Sequence, residues 1–135
     1  MMDKERVETL LAALEDYAKE LDKMMGTSLE EYKNNSYEQR ATERLLQLIS
    51  EVELDIIKEI YKGLELKLSE NERSMVLSLE KTLGKGIVSE IIIRRNLRNQ
   101  LVHAYKSYKP EEVFKQAHNR NDIAEFMKKV RKILK

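Results

Sequence analysis

Apolar residues recur at intervals of three and four along almost the whole chain, which is the spacing of one buried helical stripe. Val7, Leu10, Leu11, Leu14, Tyr17, Ala18 and Leu21 form the first stripe, and Gly26 offers its C-terminal stop. Ser28 with Glu31 three residues on matches a capping box, opening a short helix that ends near Asn34-Asn35. Ser36-Tyr37-Glu38-Gln39 reads as a second box at the head of a long helix. That helix carries Ala41, Leu45, Leu48, Ile49, Val52, Ile56, Ile60 and Leu64 at core spacing, with Gly63 near its end. Ser69 and Glu72 form a third box before Met75, Val76, Leu79 and Leu83. Gly84 and Gly86 bracket the next break, and from Ile87 a helix runs through Val88, Ile91, Ile92, Leu97 and Leu101. The run Ile91-Ile92-Ile93 is β-branched, but Arg94-Arg95 follow at once and no partner strand is evident, so it reads as helix. Pro110 suits a first helical turn, Asn119-Arg120-Asn121-Asp122 a turn and cap. The last helix carries Ile123, Phe126, Met127, Val130, Ile133 and Leu134. One proline and four glycines are too few for the turns of a strand-rich fold. The expectation is an all-α up-and-down bundle of four to six helices, with residues 1–135 as one domain.

Several chemistries are excluded. The chain has no cysteine, and so no disulfide, thiolate-held zinc or thiol nucleophile. No stretch approaches the roughly 18 consecutive apolar residues of a membrane span. The N-terminus is charged and lacks the apolar run of a signal peptide, so a cytoplasmic location without membrane attachment is expected. Glu43, Glu51 and Asp55 recur along the long helix but lack a Glu-x-x-His partner, and they read as a solvated face. Glu43 stands apart, at the start of the helix expected to flank the site described below. With no glycine-rich phosphate loop or zinc spacing, neither a metal nor a cofactor is expected. The formal charge of +1 divides into −7 over residues 1–90 and +8 over residues 91–135. A basic last third is either a footprint for a polyanion or a set of ordinary solvated helix faces.

The chain has two histidines. His118 stands beside the expected turn and reads as a surface residue. His103 lies in Arg94-Arg95-Asn96-Leu97-Arg98-Asn99-Gln100-Leu101-Val102-His103-Ala104-Tyr105, near the end of a helix. Asn99 and His103, four apart, share a helical face, while Arg98 and Tyr105, seven apart, almost eclipse. Arg98 and His103 diverge by about 140° on an ideal helix. Arg98 therefore wraps round, or the helix deforms, or a second copy of the chain supplies the missing half. Arginine suits a phosphodiester through planar bidentate donors, and histidine can take and return a proton near neutral pH. No metal is needed if the ribose 2′-hydroxyl is the nucleophile.

Arg98-Asn99-Gln100-Leu101-Val102-His103-Ala104-Tyr105 resembles the signature of HEPN-domain proteins, and its form is most similar to HepT-type toxins of MNT–HepT toxin–antitoxin modules. The likeness extends to Gln39 through Gln47, to Leu83 through Val88, and to Pro110 through Phe114, covering about residues 36–134. It implies a helical homodimer, able to pair into higher oligomers, that acts as a metal-independent endoribonuclease toxin with its site at the shared cleft. Arg98 would hold the scissile phosphate, His103 would serve as general acid and base, and Asn99 would hold the phosphate or orient His103. Tyr105 would be AMPylated by a partner minimal nucleotidyltransferase, the antitoxin, placing charge beside Arg98 and obstructing the RNA cleft. Arg94, Arg95, Lys106 and Lys109 are expected to contact RNA phosphates. The segment Lys106-Ser107-Tyr108-Lys109 is more basic than the acidic stretch of many relatives, and Tyr108 is either a competing modification site or a partly buried ring. A second function is also open: a non-catalytic helical subunit that binds substrate or nucleotide for a paired nucleotidyltransferase.

Overall fold

The structure, a computed structural model, describes residues 2–24, 26–66, 71–103 and 108–135, and its regular elements are all helices. In chain order they are α1 (Lys4–Asp22), α2 (Leu29–Lys33), α3 (Ser36–Gly63), α4 (Glu72–Leu77), α5 (Glu80–Leu83), α6 (Lys85–Val102), α7 (Pro110–His118) and α8 (Asn121–Leu134). Among the described residues eight is more than the four to six expected: the short α2 and α7 count as helices of their own, and the one expected through Met75 to Leu83 is divided into α4 and α5. The long helices α1, α3, α6 and α8 are the expected bundle.

At 28 residues, α3 is about 42 Å long and forms the spine. Helix α1 lies along it most extensively, α6 and α7 pack on its other sides, and α8 closes over α6 and α1. Leu45, Leu46, Ile49, Ile56, Ile57 and Ile60 of α3 meet Val7, Leu11 and Leu14 of α1 and Val88 and Ile91 of α6 in one continuous core. Phe126 and Val130 of α8, both fully buried, seal it. Each fully buried side chain of this size contributes about 1.5–3 kcal/mol relative to exposure, so the face of α3 decides the fold.

The caps differ from expectation in detail. Ser28 accepts from the backbone N–H of Glu31, one half of its expected box, and the Glu31 carboxylate accepts from the Ser28 hydroxyl. Helix α3 is capped one residue earlier than expected: the Asn35 side chain, not Ser36, accepts from the Glu38 N–H at 3.0 Å. Helix α4 is capped by a reciprocal box between Asn71 and Ser74, and the expected cap Ser69 lies outside the described residues. The single helix expected from Met75 to Leu83 is two, broken between Leu77 and Glu80 so that Leu79 is fully buried. Gly84 has φ +95°, a left-handed conformation that glycine adopts without strain, and α6 begins at Lys85. Gly86 is therefore inside α6 rather than at its boundary.

Candidate active site

Helix α6 buries Ile87, Val88, Ile91, Arg94, Leu97 and Leu101, a three-and-four stripe with one arginine in it. Its three arginines all reach toward α3, and burial separates them. Arg94 is fully buried. Its Nε and Nη2 donate to the two carboxylate oxygens of Glu53 at 2.8 and 3.0 Å, and Nη2 also donates to Asp122 at the start of α8. Burial opposes the charge on Arg94, yet the two carboxylates hold its pKa above the ordinary arginine value. Burial pushes the Glu53 carboxyl up, and Asp122 adds to that push while Arg94 resists it. One guanidinium thus ties three helices together.

Arg95 is mostly covered. Its Nε donates to Glu72 of α4 at 3.1 Å and its Nη1 to the Ser50 hydroxyl at 3.3 Å. Arg98, just before the last turn, is half-buried: Nη2 donates to Glu51 of α3 at 3.1 Å and Nη1 to the Asn99 side-chain oxygen at 3.3 Å. Helix α6 ends at Val102, and His103 is its exposed C-cap, with φ −94° and ψ 76°. The His103 N–H still donates to the Asn99 carbonyl at 3.2 Å, so the one-turn relation between those residues persists at the helix end. Arg98, Asn99 and His103 therefore occupy one end of α6, at the surface.

Two sequence expectations change. Arg94 was expected on RNA phosphates but has no exposed surface, and its Nε and Nη2 are held by Glu53 and Asp122. Its place in the stripe, three residues from both Ile91 and Leu97, was the signal for burial. Glu51 was expected on a solvated face and is instead the partner of Arg98. Of the remaining expected contacts, Arg95 is paired with Glu72, and Lys109 is exposed as the N-cap of α7. Tyr105 and Lys106 lie outside the described residues. Tyr108 is half-buried against the core near Glu43 and Arg40, and burial pushes its phenol above the ordinary tyrosine range. His118 is exposed, as expected, with Nδ1 at 2.9 Å from the Phe114 carbonyl. Among the described residues no three His, Cys, Asp or Glu side chains converge as a metal site, and no helix is long and apolar enough to cross a membrane.

The five arginines of the last third all face carboxylates from the first ninety residues: Arg94 to Glu53, Arg95 to Glu72, Arg98 to Glu51, Arg120 to Asp22 and Arg131 to Glu15. Five of the twelve basic residues of the last third are thus paired across the charge divide of the chain. A cleft of about 730 Å³ at the α2–α3 junction contains none of the motif residues, and Glu30 and Glu31 line it. A second cleft, about 410 Å³, lies between α4 and α6 and reaches Asn99.

The family model described as Ribonuclease HepT-like matches residues 14–133. The chain belongs to this family. Among HepT-like relatives, it is 34% identical over 110 residues to the tRNA nuclease HepT of Aphanizomenon flos-aquae (strain 2012/KM1/D3), covering 80% of this chain and 75% of that one. It also superposes on the solved structure of YutE from Bacillus subtilis, a cytosolic protein of unknown function, with a TM-score of 0.83. That match covers 98% of this chain and 91% of YutE at 19% identity, and it establishes the shared fold. For a HepT-like chain, the surface end of α6 is the place where motif residues and fold coincide.

Proposed function

We propose that this chain is an endoribonuclease of the toxin type, with Arg98, Asn99 and His103 as its reactive groups. The observation that carries the reading is the grouping of these residues at the exposed end of α6 in a chain of the HepT-like ribonuclease family. The similarity to a tRNA nuclease makes tRNA the first substrate to test. His103 takes the proton of a ribose 2′-hydroxyl, whose oxygen attacks the adjacent phosphorus. The bond from phosphorus to the 5′ oxygen breaks, and that oxygen receives a proton from the partner subunit's His103. The products are a 2′,3′-cyclic phosphate and a 5′-hydroxyl. Arg98 offsets the charge that develops on the phosphoryl oxygens, for which it must exchange Glu51 for phosphate. No step of this scheme passes through a metal.

Silencing belongs to the same reading: a partner nucleotidyltransferase transfers AMP to Tyr105, two residues beyond His103. The test is cleavage of tRNA in EDTA by wild type, His103→Ala and Arg98→Ala, followed by incubation with the nucleotidyltransferase and ATP. Cleavage lost in both variants, and in wild type once mass spectrometry finds AMP on Tyr105, is the expected result. Intact RNA with all three folded, unmodified proteins overturns it in favour of a binding subunit.

A further inference from the structure

Apart from Asn99, the residues that line the cleft between α4 and α6 have no part in the cleavage chemistry. Its floor is apolar: Val76 of α4 is 2% exposed, and Ile92 of α6 is half-buried. One wall is the Arg95 guanidinium, fixed by Glu72 and by the Ser50 hydroxyl. Its rim carries the side chains of Asn96 and Asn99, both exposed and three residues apart on one side of α6.

These features select a ligand class. Glu72 offsets Arg95, and Arg73 leaves the lining one net positive charge, which suits a ligand that carries a phosphate beside a ring. An apolar floor and a planar guanidinium suit the face of an aromatic ring, and each asparagine amide offers a donor beside an acceptor. A flat heterocycle with hydrogen-bonding edges satisfies both. The volume, about 410 Å³, is at the small end of the roughly 300–1,000 Å³ typical of ligand pockets and fits one nucleotide. Asn99 belongs both to this rim and, as the neighbour of Arg98, to the phosphate end of α6.

We infer that this cleft is a subsite for one unstacked nucleobase of single-stranded RNA, adjacent to the scissile phosphate, with adenine preferred. The inference rests on the ribonuclease reading for its substrate. Adenine is favoured because an asparagine amide can donate to N7 and accept from the exocyclic amino group of that base. Asn96 is the specificity-determining residue. It is exposed on the helix surface, so its replacement does not open the core.

The test uses 2′-O-methyl tetranucleotides, which cannot be cleaved through the 2′-oxygen, each made of a single base. They are titrated into the intact protein while the methyl groups of Val76 and Ile92 are followed by NMR. The adenine oligomer is expected to shift both methyls and to bind about tenfold more tightly than the uracil oligomer, from one good amide pair. Asn96→Leu is expected to abolish that preference and leave weaker, base-independent binding. The inference fails if no oligomer moves these methyls, or if Asn96→Leu keeps the preference. It also fails if the methyls respond to protein concentration instead, which would mean that a second copy covers the cleft. Cleavage of tRNA is measured separately. Cleavage with no base-selective binding removes the subsite and leaves the nuclease, whereas base-selective binding without cleavage does the reverse.

Discussion

Arg94 and Arg98 are one turn apart on α6, and both reach carboxylates on α3 that are two residues apart. The Arg94–Glu53 pair is fully buried, while the side chains of Arg98 and Glu51 keep 26% and 38% of their exposure. The chemistry of the two pairs is the same, and burial gives them opposite roles. A buried guanidinium has nowhere to go: removing it strands a carboxylate in the core, and no RNA can compete for it. A guanidinium at the surface holds its partner weakly, because water and salt screen the pair, and a phosphate can take the partner's place. The motif helix is therefore anchored at one turn and exchangeable at the next.

The largest expected effect breaks the anchored half. Arg94→Ala leaves Glu53 unpaired in the core and is expected to cost about 3–5 kcal/mol in urea denaturation. Replacing Arg94 and Glu53 together with apolar residues of similar volume should recover much of that loss. A near-neutral Arg94→Ala would erase the contrast with Arg98. At the exchangeable end, Arg98→Ala is expected to change stability by no more than about 1 kcal/mol. It should lower tRNA cleavage by about 100-fold or more, as loss of a transition-state donor does. His103→Ala should lower cleavage by about 10²–10⁴-fold, the range of general acid–base catalysis, with the denaturation midpoint unchanged because the side chain is exposed at a helix cap.

Glu51→Gln sharpens the comparison in the other direction. Freed of its carboxylate partner, Arg98 should bind uncleavable RNA a few-fold more tightly at low salt, and the gain should shrink as salt rises. Unchanged affinity would mean that Glu51 does not compete with phosphate. The smallest effect concerns a buried group outside the arginine pairs. Burial, with the charge of Glu43 adding to it, pushes the Tyr32 phenol above the ordinary tyrosine range. The folded protein then holds that proton more tightly than the unfolded chain. Its contribution is fully present below the unfolded value of about pH 10 and fades as the pH rises toward the folded value. Denaturation measured from pH 8 to 11 should show that decline in wild type, and Tyr32→Phe should flatten it. At neutral pH Tyr32→Phe should change stability by no more than about 1 kcal/mol, since the buried hydroxyl's hydrogen-bonding neighbour is the single Thr42 side chain.

Much of this architecture was legible in the sequence. The stripes of α1, α3, α6 and α8 follow from residue spacing, and Pro110 stands at the first position of α7 as expected. Ile91-Ile92-Ile93 is helical despite its strand-like composition, because Ile91 and Val88 continue the buried face of α6. The break between α4 and α5 was not legible, since no glycine or proline marks it and the burial of Leu79 decides it. The cap of α3 slipped by one residue because Asn35 and Ser36 are both good caps, and only the backbone shows which one is extended. In the site, Arg98, Asn99 and His103 could be grouped from their spacing, whereas Glu51 could not be matched to Arg98 from 47 residues away.

Sequence alone determined the helical class, the order of the long helices and the motif at the end of α6, because periodicity and short-range spacing are properties of a single helix. Tertiary structure alone decided that Arg94 is a strut while Arg98 remains exchangeable. It also set the basic last third against the acidic first ninety residues and opened a cleft between α4 and α6 beside the motif. Each of these depends on which distant segment covers a side chain, and coverage by a neighbour determines whether a charge is paired, buried or open to a ligand.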